Sequence, residues 1–339
     1  MPNSEPDDGL NNEAAVVVRG IRKKFGDVVA LDGVSFEVGR GEVIGLLGPN
    51  GAGKTTMVDI LSTLTRPTEG SATVAGFDVV SEQAGVRGSI MLTGQQVALD
   101  DMLSGEQNLV MFGRLYGLSK SAARQRAREL LEQFDLVDAA KRRVSTYSGG
   151  MRRRIDIACG LVVQPQVAFL DEPTTGLDPR SRQAIWDLVG NFKKLGIATL
   201  LTTQYLEEAD ALSDRIILID RGTIIAEGTA SELKHRAGDT FCEIVPRDVK
   251  DLPAIADALG SLLPDQHRAK LTPESDRITM PAPDGTSTLI EAVRLLNAAN
   301  IEPAAIALHR PSLDDVFMSL TADPTEARAL SHLAPESAR

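Results

Sequence analysis

The pattern of apolar and polar positions changes from strand-like to helical along the chain. Runs at residues 15–20 and 34–38 are rich in β-branched side chains and are separated by turns at Gly26 and at residues 32–33. A third apolar run, residues 42–47, ends at a glycine-rich turn and is followed by a helical pattern. This part of the chain therefore predicts two strands, then a strand, a turn and a helix in direct succession.

A long helical segment interrupts the strand-rich region. Runs at residues 167–170 and 197–203, beyond this segment, are continuously apolar, which is typical of strands buried on both faces of a parallel sheet. We therefore expect an α/β core with an inserted helical subdomain at about residues 97–147. The apolar residues that recur at helical spacing in the insertion are Leu109, Phe112, Leu115, Tyr116, Leu130, Leu131 and Phe134.

The C-terminal region follows a different pattern. Its order of strand, helix, two strands, helix and strand (βαββαβ) is that of a small ferredoxin-like α+β domain, for which we expect a regulatory or accessory role. The predicted elements are residues 240–245, 252–263, 268–272, 277–281, 287–300 and 303–309. The predicted domains are a loose leader at 1–13, a first domain at 14–237, a second at 238–322 and a tail at 323–339.

Composition narrows the class of protein. The chain has 339 residues, which fits about two domains, and its formal net charge of -11 argues against a protein that grips a nucleic-acid backbone. Its two cysteines lie far apart and indicate neither a disulfide framework nor a zinc cluster. No apolar run approaches the roughly 18 residues of a membrane span. If the protein works at a membrane, another chain must therefore supply the spans.

The glycine-rich turn carries the strongest chemical signal. Its spacing, G-x-x-x-x-G-K-T between a strand and a helix, is that of a phosphate-binding loop, whose backbone N–H groups and helix N-terminus face a polyphosphate. Lys54 of such a loop reaches the β- and γ-phosphates, and the Thr55 hydroxyl binds Mg²⁺. The alternative, a glycine-rich turn with a chance lysine, is disfavoured by the flanking strand and helix. The loop residues are Gly48, Pro49, Asn50, Gly51, Ala52, Gly53, Lys54, Thr55 and Thr56.

Two carboxylates follow the apolar run at residues 167–170. Ligands of open α/β sheets bind beyond the carboxyl ends of the strands, so we expect Asp171 and Glu172 beside the phosphate-binding loop. Phe25 precedes that loop, and it either stacks on a nucleotide base or is a half-buried residue at a strand end. Its position alone favours neither interpretation.

A further helix is predicted from residue 152 onwards. Ser148 is a good helix N-cap, which is a purely structural role. The three arginines at residues 152–154 are typical of a solvated helix face. His267 and His309 are expected at the surface or on an edge strand rather than as ligands.

Six motifs in order resemble the motif set of an ATP-binding cassette (ABC) ATPase. The resemblance covers residues 14 to about 237 and implies a P-loop NTPase fold with a helical subdomain. The motifs are residues 48–56, Gln95, residues 147–151, residues 169–172, residues 176–178 and residues 202–204.

The resemblance implies roles around one nucleotide. Phe25 would stack on the adenine of ATP. Thr55, Gln95 and Asp171 would position Mg²⁺, and Glu172 would be the general base for the attacking water.

The same resemblance implies a closed homodimer that sandwiches two ATP molecules. Ser148, Gly149 and Gly150 would contact the γ-phosphate bound to the partner, because glycines allow a close backbone approach and the helix dipole favours an anion. Asp178 would link the two half-sites.

Two positions depart from the common family pattern. Met151 stands where glutamine is usual, at the edge of the contact, so ATP binding is expected to survive. Gln204 stands where histidine is usual, and its amide can donate a hydrogen bond to the γ-phosphate but carries neither a positive charge nor a transferable proton. Glu172 is therefore expected to be the principal base, supported by Gln204 and Lys54.

Three segments narrow the subfamily. Residues 93–95, 200–210 and 311–317 are similar to the daunorubicin-resistance type of ABC transporter ATPase. That type implies a peripheral ATPase on the cytoplasmic face of the cell membrane. It would drive export of a hydrophobic drug or complex lipid through separate integral membrane permease subunits, without nucleic acid. The alternatives are an importer ATPase and a soluble ABC ATPase acting on ribosomes or nucleic acid, although the latter usually carries two cassettes in one chain.

Overall fold

The computed structural model describes residues 14–94, 98–237, 240–262 and 276–321. These residues form two compact units that divide between Ala230 and Ser231, at the start of a helix that spans residues 230–237. The elements up to that helix are β1 (Ala14–Phe25), β2 (Val28–Gly39), β3 (Val43–Leu47), α1 (Lys54–Leu61), β4 (Glu69–Val74), β5 (Phe77–Asp78), α2 (Gln83–Ser89), β6 (Ile90–Thr93), α3 (Gly105–Leu115), α4 (Lys120–Gln133), α5 (Gly149–Gly160), β7 (Val167–Asp171), α6 (Pro179–Lys194), β8 (Ala198–Thr203), α7 (Leu206–Leu212), β9 (Arg215–Asp220), β10 (Thr223–Gly228) and α8 (Ala230–Ala237).

A six-stranded sheet positions the site. Its strand order is β10-β9-β3-β8-β7-β6, and all neighbours are parallel except the edge pair β10 and β9. Strand β7 is buried along its whole length because Phe169 packs into one core and Leu170 packs into another on the opposite face. The predicted parallel sheet, covered on both faces, is confirmed.

A four-stranded antiparallel sheet, in the order β2-β1-β4-β5, contributes to the first of these cores together with α1. Strands β1 and β2 are longer than predicted, and they join at the expected turn around Gly26, whose φ is 56°. The predicted turn at residues 32–33 is wrong. These residues lie inside β2, where Gly33 has a φ of 75° and the pairing with β1 changes register between Ile21 and Lys23.

The predicted helical segment forms two helices, α3 and α4, which pack in the second core. They are separated near Gly117, whose φ of 86° is left-handed. Helix α3 begins with a capping box, in which the Gln107 amide N–H donates to Ser104 Oγ at 3.2 Å and Ser104 N–H donates to Gln107 Oε1 at 2.8 Å. None of the helices in the described ranges is long and apolar enough to span a bilayer.

The second unit contains a three-stranded antiparallel sheet in the order β12-β11-β13. A small core with Ile244, Met280 and Leu296 packs between this sheet and its helices. His309 lies on the edge strand, as expected, and stacks on Phe241 with the ring centroids 5.1 Å apart. His267 and the predicted strand at 268–272 lie outside the described residues. The elements are β11 (Phe241–Val245), α9 (Leu252–Ala258), β12 (Ile278–Pro281), α10 (Thr286–Ala298), β13 (Ala305–His309) and α11 (Leu313–Thr321).

The central strand β7 gives a direct test of this core. Phe169 is fully buried, so Phe169→Ala should lower the free energy of unfolding of the first unit by about 3–5 kcal/mol because a cavity replaces the ring. Leu115 is 75% exposed, and Leu115→Ala should change that free energy by less than about 0.5 kcal/mol. Urea unfolding followed by circular dichroism measures both, and equal losses would contradict the placement of the core.

Candidate nucleotide-binding and catalytic site

The sheet order brings the predicted site residues to one edge. Strands β3 and β7 both pair in parallel with β8, with Leu47 opposite Thr203 and Asp171 opposite Thr202. The phosphate-binding loop, the two carboxylates and Gln204 follow the carboxyl ends of these three strands. They therefore lie on the edge where open α/β sheets bind their ligands.

Two glycines of the loop are needed for their backbone conformation, and a third is needed because no side chain would fit. Gly51 and Gly53 have φ values of 82° and 106°, which glycine adopts without strain. Gly48 is required for space, because a Cβ at this position would lie 2.2 Å from the carbonyl oxygen of Ile219. The loop therefore has its glycines where the curled backbone and the adjacent strand β9 require them.

Lys54 is the first residue of α1 and is only 5% exposed. Its Nζ donates hydrogen bonds to the carbonyls of Gly48 at 2.8 Å and Pro49 at 3.0 Å, and lies 3.8 Å from Glu172 Oε1. Burial lowers the pKa of Lys54 below its ordinary value, whereas the carboxylates of Glu172 and Asp171 oppose that shift. The ammonium group is thus held between the loop and the strand end.

Asp171 is buried and is held by two hydroxyls. Thr55 Oγ1 donates to Asp171 Oδ2 at 3.1 Å, and the Thr202 hydroxyl donates to Oδ1. Hydroxyl and carboxylate oxygens are the hard ligands that Mg²⁺ prefers. The donor chemistry at this edge therefore fits Mg²⁺.

Glu172 has a left-handed backbone, with a φ of 47° that is uncommon for a residue with a side chain. Its N–H donates to the carbonyl and the hydroxyl of Thr202, each at 3.1 Å. Its Oε2 accepts a hydrogen bond from the Thr175 hydroxyl at 3.2 Å. These contacts fix a carboxylate beside Lys54 at the end of β7.

Two predicted residues, Gln204 and Phe25, make none of the hydrogen bonds described above. Gln204 is half-buried directly after β8, and Gln95 lies outside the described residues. Phe25 is 52% exposed at the end of β1, and the Lys23 ammonium lies 4.7 Å from its ring centroid. An exposed ring of this kind is available for stacking.

The serine-glycine-glycine segment forms the N-terminus of α5. Ser148 caps the helix by accepting a hydrogen bond from the Met151 N–H at 3.3 Å. Gly149 is exposed, but Gly150 is buried, and a Cβ there would lie 2.3 Å from Ser181 Oγ. Close packing within the chain therefore requires the second glycine, independently of any phosphate.

Asp178 caps the next helix, α6. Its carboxylate accepts hydrogen bonds from the N–H of Ser181 at 3.0 Å and from the Ser181 hydroxyl at 2.7 Å. These bonds lower the pKa of Asp178 below its usual range. Asp178 thus fixes the serine that packs against Gly150.

The interpretation of residues 152–154 as a solvated face is wrong for Arg153. Its side chain is buried, and it donates hydrogen bonds to the carbonyls of Gly94, Asp171 and Pro173. Arg153 lies three residues after Gly150, which is also buried, on the same face of α5. The run of three arginines at residues 152–154 therefore contains one side chain, Arg153, that faces the interior.

Sequence reasoning also missed a buried carboxylate beside the turn after Glu172. Glu208 on α7 is fully buried, and its Oε1 accepts hydrogen bonds from the Thr174 hydroxyl at 2.8 Å and Trp186 Nε1 at 3.2 Å. No pattern in the acidic start of α7 indicates this role. Trp186 is the only tryptophan of the chain and is a natural fluorescent probe of that turn.

A cavity of about 730 Å³ lies elsewhere, at the amino ends of the strands. Residues such as Gln166 and Gly196, which precede β7 and β8, line it, together with Ala14 at the start of β1. None of the predicted site residues does. The chemistry identified above belongs to the opposite edge of the sheet.

Alanine substitutions at the two glycines that begin α5 should differ in their effect on stability. Gly150→Ala should destabilise the protein without nucleotide by about 1–3 kcal/mol, because the new methyl group overlaps Ser181. Gly149→Ala is the matched control, since its Cβ would make only an ordinary 3.6 Å contact with Leu177. Thermal unfolding compares them, and equal stability of the two variants would refute the packing role of Gly150.

Comparisons with known proteins agree with this geometry. The family model described as ABC transporter matches residues 31–175. The doxorubicin resistance ATP-binding protein DrrA of Mycobacterium tuberculosis (strain CDC 1551 / Oshkosh) is 79% identical over 331 residues, which are 97% of this chain and 99% of that relative. The daunorubicin/doxorubicin resistance ATP-binding protein DrrA of Streptomyces peucetius is 45% identical over 95% of this chain and 97% of its own length.

Solved structures share the cassette fold. The ATP binding subunit of an ABC transporter matches 66% of this chain and 92% of its own length, with a TM-score of 0.60 and 27% identity. The dimeric cassette MJ0796, bound to ADP and phosphate after hydrolysis, matches 63% of this chain and 98% of its own, with a TM-score of 0.58 and 27% identity. The chain therefore belongs to the ABC transporter family, as an ATPase subunit of the doxorubicin- and daunorubicin-resistance type.

Proposed function

We propose that this chain binds and hydrolyses Mg-ATP in a homodimer and thereby drives export through separate membrane subunits. The observation that carries the proposal is the convergence of Lys54, Thr55, Asp171 and Glu172 at neighbouring strand ends. A buried cation, a hydroxyl and two carboxylates within contact distance are the groups that phosphoryl transfer from a metal-bound triphosphate requires.

The residues divide the chemistry between them. Lys54 and the loop amides bind and orient the phosphates, and Thr55, Asp171 and Gln95 would hold Mg²⁺. When bound, Mg²⁺ neutralises negative charge on the phosphate oxygens. Glu172 accepts the proton of the attacking water.

The closed state is a homodimer with two nucleotides between its cassettes. Ser148 and Gly149 are exposed at the N-terminus of α5, where the helix dipole favours the γ-phosphate held by the partner. The backbone of Gly150 completes that contact, and Asp178 links the half-sites. Support comes from the dimeric cassette MJ0796, to which this fold is similar.

The cargo is a hydrophobic drug or complex lipid, carried by separate integral permease subunits. Support comes from the relatives, whose names refer to resistance to doxorubicin, daunorubicin and, in Bacillus subtilis (strain 168), linearmycin. The ATPase would act peripherally on the cytoplasmic face of the cell membrane. A net charge of -11 favours an ATPase that acts at the membrane over one that acts on ribosomes or nucleic acid.

The region from 238 to 322 is proposed as a ferredoxin-like accessory domain, preceded by the cassette at 14–237. Strand β11 pairs antiparallel with both β12 and β13, which is the arrangement that a split βαβ unit requires for its first, third and fourth strands. The strand predicted at 268–272 would complete the sheet beside β12. A regulatory role suits a unit that contributes none of the predicted site residues.

The assignment of the base predicts unequal effects of two substitutions. Glu172→Gln should lower ATP turnover by about 10²–10⁴-fold and trap bound ATP, because the amide keeps the shape but accepts no proton. Gln204→Ala should slow turnover much less. Phosphate release measures turnover, and filter binding measures retained nucleotide.

The control for this experiment is Glu207→Gln, the same change at an exposed position on the first turn of α7. It should leave turnover unchanged. Equal and mild effects of Glu172→Gln and Gln204→Ala would contradict the assignment of Glu172 as the base.

The transport role predicts a membrane partner. The Glu172→Gln variant, purified from membranes with Mg-ATP, should retain a polytopic membrane protein identifiable by mass spectrometry, because the closed state persists. Transport of doxorubicin into inverted vesicles that contain the same membrane protein with the wild-type ATPase would then separate export from import. Recovery of ribosomes or nucleic acid without a membrane protein would overturn the transport role.

A further inference from the structure

The guanidinium of Arg153 binds three backbone carbonyls from two separate segments. Its Nη1 donates to Gly94 O at 2.9 Å, at the end of β6. Its Nη2 donates to Asp171 O at 3.1 Å, at the last residue of β7, and its Nε donates to Pro173 O at 2.8 Å, two residues further on. Each nitrogen of the planar fork thus has a separate partner.

Two of these carbonyls bracket Glu172. Asp171 precedes it and Pro173 follows it, so one side chain holds the peptide that leads into the left-handed residue and the peptide one residue beyond it. A backbone in this region of φ/ψ space persists only where the surroundings over-determine it. Arg153 supplies that constraint from α5, while Thr202 supplies it from the neighbouring strand through the Glu172 N–H.

Asp156 orients the guanidinium. It lies one turn further along α5, with Oδ2 3.5 Å from Arg153 Nη1, and both side chains are buried. Burial raises the pKa of Asp156 to about 6, while the charge of Arg153 and the backbone amide of Ala98 oppose the shift. The Asp156 carboxylate thus lies within ion-pair distance of the guanidinium in the interior.

We propose that Arg153 is a positioning residue for Glu172, which holds the backbone of the base through the carbonyls on either side of it. The proposal rests on the proposed function, in which Glu172 accepts the proton of water. Arg153 belongs to α5, whose N-terminus carries Ser148 and Gly149. A shift of that helix therefore reaches the base directly, and contact of Ser148 and Gly149 with one nucleotide is linked to hydrolysis of the other.

A lysine side chain cannot reproduce the three hydrogen bonds of the planar Arg153 guanidinium. An ammonium group is a compact point charge on a flexible stem and does not span three carbonyls in fixed directions. Arg153→Lys should therefore retain the positive charge but release the peptides around Glu172. The neighbouring residue provides a matched control, because Arg154 is half-buried on the same helix and its closest hydrogen bond is to Phe134 O at 2.8 Å, away from the site.

The test compares Arg153→Lys and Arg154→Lys in the full-length chain. Arg153→Lys should lower kcat by about 10-fold or more, since misplaced catalytic groups cost rate steeply, and should leave the Kd of a fluorescent ATP analogue within about 2-fold. Arg154→Lys should leave both unchanged. A loss of kcat explained by weaker ATP binding, or an equal loss in both variants, would overturn the proposal.

A double-mutant cycle separates positioning of Glu172 from a general structural effect. In the Glu172→Gln background, Arg153→Lys should cause no further loss of residual turnover, because no base remains to be placed. The same fold-loss in both backgrounds would overturn the proposal. Wild-type turnover in Glu172→Gln alone would instead refute the assignment of the base, which distinguishes the two failures.

A second, milder variant tests the proposal if Arg153→Lys does not fold, as judged by thermal unfolding. Asp156→Asn keeps the shape of the side chain and weakens only the orientation of the guanidinium. It should lower kcat in the same direction, with the Kd of the ATP analogue again unchanged. Unchanged kcat in Asp156→Asn, with Arg153→Lys unfolded, would overturn the proposal.

Discussion

The site depends on one packing constraint, the burial of β7 on both faces of the parallel sheet. Phe169 and Leu170 occupy different cores, so the strand has a fixed register and its end has a fixed position. A shift by one residue would exchange the two faces and move Asp171 away from Thr55. The hydrophobic cores thus set the distance between the phosphate-binding loop and its carboxylates.

The buried charge of Lys54 then requires a carboxylate and hydrogen-bond acceptors at the end of β7. Lys54 is buried with its Nζ 3.8 Å from Glu172 Oε1, and an ammonium is costly to bury unless it is paired and hydrogen-bonded. The carbonyls of Gly48 and Pro49 supply the hydrogen bonds. Lys54 and Glu172 stabilise each other here. A cation and a carboxylate are also groups that are needed around a triphosphate, so the same residues serve stability and the proposed chemistry.

Much of this organisation could be predicted from the sequence, because local patterns determine it. The strand, glycine turn and helix around Lys54 form a contiguous signal, and the apolar run before Asp171 identifies a buried parallel strand. The role of Arg153 could not be predicted in the same way, because its partners are backbone carbonyls, which carry no residue-specific signature. Glu208 was missed for a similar reason, since only the fold brings Thr174 and Trp186 to it. Gly150 shows that a glycine predicted to approach a phosphate can be required by packing within the chain, because it lies against Ser181, which Asp178 fixes.

The most direct measurement is the structure of the Glu172→Gln variant with Mg-ATP. Two chains should enclose two nucleotides, with Lys54, Thr55 and Asp171 of one chain and Ser148 of the other at the same triphosphate. Arg153 should still bind the carbonyls of Asp171 and Pro173 on either side of the substituted residue. A nucleotide bound away from the ends of β3 and β7, or Ser148 far from any phosphate in a closed dimer, would refute this arrangement of the site.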